Sequence, residues 1–161
     1  MSQPLTDSEF DKLADAQLSK LYKLLMDFDP DEIEAELALG VLSITVLNQH
    51  KVVINSHRAA RQIWMSAQRK AWHFDPNPAS ASFTTADAEL LATVEKVLGE
   101  LLKRPDFGPD PLRLQVVQTL DKLAGAETVD ALGDYVKASE KDKARPSRAE
   151  ALKIIELRTA K

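Results

Sequence analysis

Residues 40–46 read Gly-Val-Leu-Ser-Ile-Thr-Val, and residues 51–55 read Lys-Val-Val-Ile-Asn. In the first run Leu42, Ile44 and Val46 alternate with small polar residues, which is the pattern of a half-buried β-strand. Only residues 47–50 separate the two runs, a length typical of a β-hairpin. The two runs therefore predict a pair of antiparallel strands.

Further strands are predicted on both sides of this hairpin. Residues 32–37 alternate glutamates with apolar residues and predict a strand before it, with its acidic side exposed. Residues 62–67 and 71–74 predict two strands after it, and residues 83–85 a short sixth strand. Short connections join these runs, so the sequence predicts an antiparallel meander of five or six strands.

A helix is predicted on each side of the meander. Thr6 and Glu9 form a capping-box pattern, and apolar residues at helical spacing continue from there to Met26. After the meander, Asp87 is predicted to cap a helix that runs to about residue 102. The expected fold class is α+β, an α-β sandwich of helix, antiparallel sheet and helix over residues 1–103.

The C-terminal third is predicted to be helical. Residues 104–111 contain three prolines and one glycine, so residues 104–110 are predicted to be a linker. Residues 111–161 then predict an all-α extension of three short helices, at about 111–123, 127–139 and 147–159. The first and third helices share a pattern 35 residues apart, like a fragment of a HEAT repeat.

Composition and charge narrow the classes of function. The 161 residues include no cysteine, which excludes disulfides, thiolate metal sites and cysteine nucleophiles. The net charge is −7 over residues 1–50 and +4 over residues 51–75. An acidic first third argues against nucleic acid as a partner, because phosphate contacts need basic residues. No apolar run is long enough to span a membrane, and we expect a cytoplasmic protein.

Three stretches together resemble a known family. They are Leu-Thr-Asp-Ser-Glu-Phe-Asp-Lys-Leu-Ala-Asp at residues 5–15, the run at 40–46, and Val53-Ile-Asn55 followed by Gln62-Ile-Trp64 and His73-Phe-Asp75. In their order and spacing they resemble the frataxin family, in its bacterial iron-donor (CyaY-type) branch. The resemblance covers about 100 of the 161 residues, and nothing in that family accounts for the C-terminal helices.

The resemblance implies a function and a set of site residues. It implies weak surface binding of iron, as Fe²⁺ or Fe³⁺, no organic cofactor, and a partner role with a cysteine desulfurase and an Fe–S scaffold protein. It implies partner contacts at Asn55, Gln62 and Trp64 on the sheet. The implied iron-binding carboxylates, which we call the acidic ridge, are Asp7, Asp11, Asp15, Asp27, Asp29, Asp31, Glu32, Glu34 and Glu36.

The acidic residues also have simpler explanations. Asp7, Asp11 and Asp15 lie four residues apart on one helix face, where they either bind metal or complement the helix dipole. The dipole explains Asp15 poorly, because its effect fades after the first turn. Glu32, Glu34 and Glu36 lie on one face of the predicted edge strand. They either form a surface for a basic partner or protect that strand from unwanted pairing.

Three features between residues 50 and 75 bear on partner binding. If Ile63 and Met65 fill the core, Trp64 lies on the outside of the sheet. Two explanations account for a tryptophan there: it anchors a partner, or the C-terminal helices partly cover it. Arg58 and Arg61 are candidate contacts for an acidic partner. The three histidines are expected to be structural or exposed to solvent.

The sequence also departs from the family pattern. Tyr22 and Lys23 stand where family members have paired glutamates, and Met26 stands at an acidic position. A second hypothesis is therefore a frataxin-fold interaction module that has lost metal binding and whose partner surface the C-terminal helices alter. No phosphate loop or catalytic triad pattern is present, so we expect no enzymatic activity. The expected state is a monomer, with an iron-dependent oligomer as the open alternative.

Overall fold

The computed structural model describes residues 4–104, 107–123 and 127–160. The chain forms two compact units, Met1–Leu90 and Leu91–Lys161. The predicted linker at 104–110 falls inside the second unit. Its residues 105 and 106 lie outside the described residues. The predicted domain limits stay a prediction. Within the described ranges, no helix has both the length and the apolar character needed to cross a membrane.

The first unit consists of one helix and a six-stranded antiparallel sheet. The strands lie side by side in chain order, as expected of a meander, and a short 3-10 turn over Arg58–Ala60 connects the third strand to the fourth. The elements are α1 (Asp7–Leu25), β1 (Ile33–Ala38), β2 (Val41–Val46), β3 (His50–His57), β4 (Gln62–Ala67), β5 (Lys70–Asn77) and β6 (Ser82–Thr84). This arrangement confirms the predicted α+β fold class.

The N-terminus of α1 has the predicted capping box. The backbone N–H of Glu9 donates to Oγ1 of Thr6 at 3.2 Å, and the backbone N–H of Thr6 donates to Oε2 of Glu9 at 2.8 Å. The hydrogen bonds that the backbone N–H and the hydroxyl of Thr6 donate to the Glu9 carboxylate lower the pKa of Glu9 below its usual value. Because the signal is local in sequence, the predicted start at Asp7 is correct, and the predicted end at Met26 differs by one residue.

The core of the first unit lies between α1 and one face of the sheet. Phe10 packs edge to face against Phe83 of β6, with ring centroids 5.9 Å apart. Ile63 and Met65 of β4 are both buried, so the condition that places Trp64 on the outside of the sheet is met. The other buried apolar residues here include Ala14, Leu18, Leu21, Leu25, Ile33, Leu42, Ile44, Val46, Val52, Ile54, Ala67 and Phe74.

The connections around β5 differ from the prediction. Gln68 and Arg69 form the two-residue turn between β4 and β5, with φ values of 50° and 65°. Both residues are in the left-handed region, where turns usually have asparagine or glycine, so neither residue indicates a turn in the sequence. The strand predicted at residues 71–74 extends to Asn77, so Pro76 lies inside β5, opposite Phe83. The pairing of β4 with β5 ends at Phe74, so β5 has a single neighbouring strand at the proline.

The second unit is helical. Its elements are α2 (Leu90–Lys103), α3 (Asp110–Leu123), α4 (Thr128–Ala138) and α5 (Pro146–Thr159). The three predicted C-terminal helices are present, with ends that shift by one residue. The prediction that Asp87 caps α2 is wrong, because Asp87 lies in a turn where Oγ1 of Thr85 accepts its backbone N–H.

Helices α3 and α5 run in the same direction. Near their N-termini, the carboxylate of Asp110 accepts hydrogen bonds from the backbone N–H and the hydroxyl of Ser147. Near their C-termini, Arg158 pairs with Asp121 at 2.7 Å. Both pairs are 37 residues apart, which is close to the 35-residue spacing of the sequence pattern. Parallel first and third helices suit a helical repeat, and the HEAT likeness stays a prediction.

Candidate functional site: the outer face of the sheet and the acidic ridge

The exposed side of the sheet is defined by strand pairing. Asn55 of β3 lies directly opposite Trp64 of β4, and Trp64 lies directly opposite His73 of β5. Residues that are paired across strands project on the same side of a sheet. Because Ile63 and Met65 point into the core, these three residues lie on the other side. We call that side the outer face, and its central residues are Asn55, His57, Gln62, Trp64, His73 and Asp75.

Trp64 lies between two histidines. Its ring stacks on His57 at a centroid distance of 4.0 Å and an interplanar angle of 17°, and on His73 at 4.4 Å and 15°. The side chain is therefore half-buried, and two residues of the first unit cover its faces. A tryptophan held on both faces loses little further rotational freedom when it binds a partner.

Gln62 fixes the edge of this stack. Nε1 of Trp64 donates to Oε1 of Gln62 at 2.9 Å, and Nε2 of Gln62 donates to Oδ1 of Asp75 at 2.9 Å. One of the two histidines is also held, because the backbone N–H of Ala60 donates to Nδ1 of His57 at 3.3 Å. The outer face thus presents an ordered aromatic and polar surface of the kind that recognises a protein partner.

Sequence reasoning missed three members of this network: His57, His73 and Asp75. The register of β5 against β4 would have found His73, because a turn at residues 68 and 69 places His73 opposite Trp64. That turn contains neither glycine nor asparagine, so its position was not evident. His57 could not be found in this way, because it lies directly opposite Gln62 and not opposite Trp64.

The N-terminal part of the acidic ridge is paired with arginines. Nη2 of Arg61 lies 3.1 Å from Oδ1 of Asp7, and Nη2 of Arg58 lies 3.2 Å from Oδ2 of Asp11. The structure therefore joins two predicted metal ligands to two predicted partner contacts. Exposed pairs of this kind contribute at most about 1 kcal/mol to stability, but they neutralise carboxylates that iron would need.

The rest of the ridge is spread along the chain. Asp15, Asp27 and Asp31 are exposed. Asp29 shapes the turn before β1, because its Oδ1 accepts the backbone N–H of Asp31 at 2.9 Å, while Glu32 is half-buried just before the strand.

Two glutamates of the ridge belong to the outer face. Glu34 lies opposite Thr45 and Glu36 opposite Ser43, and Ser43 in turn lies opposite Val53 of β3. Val53 is two residues from Asn55 and therefore projects on the same side of the sheet. Glu34 and Glu36, both exposed, thus form the acidic edge of the outer face.

The described part of the chain contains no preformed metal site. Across residues 4–104, 107–123 and 127–160, no group of three or more histidine, aspartate or glutamate residues could hold a metal ion. The described carboxylates of the ridge are thus not gathered into one cage. Carboxylate oxygens do suit iron as a cargo, and exposed carboxylates taken singly or in pairs would bind it weakly.

The comparisons with known proteins agree with this fold. A family model described as a frataxin-like domain matches residues 3–104, and the chain belongs to the frataxin family. The solved structure of a frataxin from Psychromonas ingrahamii, studied as part of the CyaY protein family, matches it with a TM-score of 0.53 and 21% sequence identity. That match covers 65% of this chain and 100% of the other. It shows a shared fold.

Membership of the frataxin family indicates the general function of this protein. The frataxin and CyaY family supports a role related to iron and to Fe–S cluster assembly. It is a family of non-enzymatic iron chaperones and regulators, which is consistent with the expected lack of enzymatic activity.

Proposed function

We propose that this protein is an iron-binding accessory and regulatory protein of Fe–S cluster assembly. It acts in the cytoplasm, as a monomer, on a complex of a cysteine desulfurase and a scaffold protein. The outer face of the sheet is its contact surface. The observation that supports this most strongly is the network in which His57, His73 and Gln62 hold Trp64 in place.

The outer face suits a protein partner for energetic reasons. Ordered tryptophans often dominate the binding energy of protein interfaces, because they bury a large area at a small cost in side-chain entropy. Glu34 and Glu36 add negative charge at one edge of the same face, and such charge speeds association with a basic surface. The chemistry of the site thus favours a partner that combines an apolar pocket with basic residues.

Iron is proposed as a weakly held cargo. The exposed ridge carboxylates with no ion pair among the described residues are Asp15, Asp27, Asp29, Asp31, Glu34 and Glu36. Exposed carboxylates compete with water for a hard cation, so we expect a dissociation constant of about a micromolar or weaker. Asp7 and Asp11 contribute only when their arginine pairs open.

A second candidate function keeps the fold and the partner surface but omits the metal. The pairing of Asp7 with Arg61 and of Asp11 with Arg58 favours it. Tyr22 and Lys23, at positions where the family has glutamates, favour it as well. In this reading the protein is an interaction module whose partner surface the C-terminal helices alter.

One experiment separates these proposals. The purified protein is titrated with the purified cysteine desulfurase and scaffold complex of its host, with and without Fe²⁺, while Fe²⁺ binding to the protein alone is measured by calorimetry. Saturable binding of both the complex and Fe²⁺ supports the first proposal. Binding of the complex without Fe²⁺ supports the second, and absence of complex binding contradicts both.

A further inference from the structure

The helical unit contains a cleft that the family resemblance does not explain. It is about 420 Å³ in volume and lies where α2 and α4 end, next to the short 3-10 turn over Glu140–Asp142. Its described lining residues all fall within 102–145, inside the second compact unit.

Positive charge predominates in the lining of this cleft. Glu140 and Asp142 are the two carboxylates among its described lining residues. Against them stand six cationic side chains, namely Lys103, Arg104, Arg113, Lys137, Lys141 and Arg145. A concentration of this kind attracts anions, because each cation adds to the same local potential.

The cations differ in how they are engaged. Nζ of Lys103 lies 2.7 Å from Oε1 of Glu100, and that hydrogen bond raises the pKa of Lys103. Nη2 of Arg145 lies 3.1 Å from Oδ2 of Asp142. By contrast, Lys137 and Lys141 are exposed and have no ion pair within the described part of the chain. These two lysines are four residues apart and are available to a ligand.

Arg113 gives the cleft a rigid wall. It is 2% exposed, and its guanidinium donates to the backbone carbonyls of Leu102, Arg104 and Gly108 at distances between 2.7 and 3.0 Å. These bonds fix the end of α2 against the start of α3, so the lining is largely formed before any ligand binds.

Helix dipoles do not account for so much positive charge. The C-terminus of a helix is equivalent to about −0.5 of an elementary charge, so the ends of α2 and α4 together need about one compensating cation. The lining holds four more cations than carboxylates among its described residues. Glu100 at 2.7 Å and Asp134 at 4.0 Å from Nζ of Lys103 offset part of this excess, while Lys137 and Lys141 are exposed and have no ion pair within the described part of the chain.

We propose that this cleft binds a compact polyanion with two or more phosphate or carboxylate groups. Lysine and arginine are the side chains that bind such groups, through charge and through several N–H donors. A cleft of about 420 Å³ accommodates a small molecule of this class. This proposal is independent of the role proposed for the outer face.

The test is a calorimetric titration of the full chain with pyrophosphate and, separately, with citrate at constant ionic strength. The two arms distinguish a phosphate ligand from a carboxylate ligand. Saturable binding of at least one anion is expected, and it weakens as salt is added. In the variant K137Q/K141Q we expect the affinity to fall about tenfold, because two exposed cations near a bound polyanion are removed.

The matched control is K122Q/K153Q, which removes the same charge from the same unit outside the described lining. Circular dichroism establishes that both variants fold. No saturable binding of either anion overturns the proposal, and so does an equal loss of affinity in both variants, which would indicate attraction by net charge alone. The proposal is also overturned if the protein binds poly-glutamate but binds neither pyrophosphate nor citrate.

Discussion

Arg58 and Arg61 are the residues that bear most directly on whether this protein binds metal or acts as an interaction module without it. Their pairs with Asp11 and Asp7 are exposed, with nitrogen to oxygen distances of 3.2 and 3.1 Å. Such pairs open readily in water because their net stability is small. A cation that binds the N-terminal part of α1 must therefore compete with the two guanidinium groups.

Removal of these arginines should strengthen metal binding. In the variant R58Q/R61Q we expect the affinity for Co²⁺, used as a surrogate for Fe²⁺, to rise about twofold to fivefold, since two carboxylates lose their competing cations. The measurement is an NMR titration that follows the backbone signals of α1.

The control for this prediction is R69Q/K70Q, which removes two positive charges at the turn between β4 and β5. If both variants raise the affinity equally, the effect is one of net charge. If neither does, Asp7 and Asp11 take no part in metal binding, and the metal is held by the other exposed carboxylates of the ridge.

At the scale of the element, the turn between β4 and β5 has a strained backbone conformation. Arg69 has a φ of 65°, a conformation that costs a residue with a Cβ atom about 1 kcal/mol relative to glycine. The variant R69G should therefore raise the free energy of unfolding by about 1 kcal/mol, as measured by urea denaturation. The variant R69A is the control, because it removes the same charge but keeps the Cβ atom, and it should give no such gain.

The connection between α2 and α3 depends on one side chain. Arg113 is buried and holds three backbone carbonyls. In the variant R113M these carbonyls lose their donors, and we expect the helical unit to lose about 3 kcal/mol or more of stability. The variant R113K tests the geometry, because a lysine keeps the charge but lacks the planar fork.

Thermal unfolding followed by circular dichroism is the measurement for both variants. We expect R113K to be destabilised as well, by less than R113M. A melting temperature equal to that of the wild type in R113M would show that water replaces the guanidinium at no cost.

At the scale of the whole molecule, local signals made the fold predictable. The alternation in β2 and β3 and the capping box of α1 each depend on neighbouring residues, so one sequence sufficed. The contacts that organise the candidate site join residues far apart in the chain. Arg61 and Asp7 are separated by 54 positions, and nothing in either stretch indicated the pair.

The sheet illustrates the same limit. Trp64 was found from its place between Ile63 and Met65, because alternation fixes which side of a strand a residue occupies. Its histidine neighbours needed the register across three strands, and a turn without glycine concealed that register. A candidate residue could thus be predicted from the sequence, while the network around it could not.

The central claim is that the outer face around Trp64 binds the cysteine desulfurase and scaffold complex. Trp64 and Trp72 provide a matched pair for its test, because both are half-buried residues of the same sheet, and Trp72 pairs with buried Met65 on the opposite side. Removal of either ring should cost stability, so W72A controls for general weakening of the fold.

The decisive measurement is the dissociation constant of the purified complex for the wild type, W64A and W72A, determined by calorimetry at a temperature where all three are folded. We predict that W64A weakens binding by about 2 kcal/mol or more, as expected for an interface anchor, whereas W72A binds within about twofold of the wild type. Equal affinities for W64A and the wild type would contradict the account.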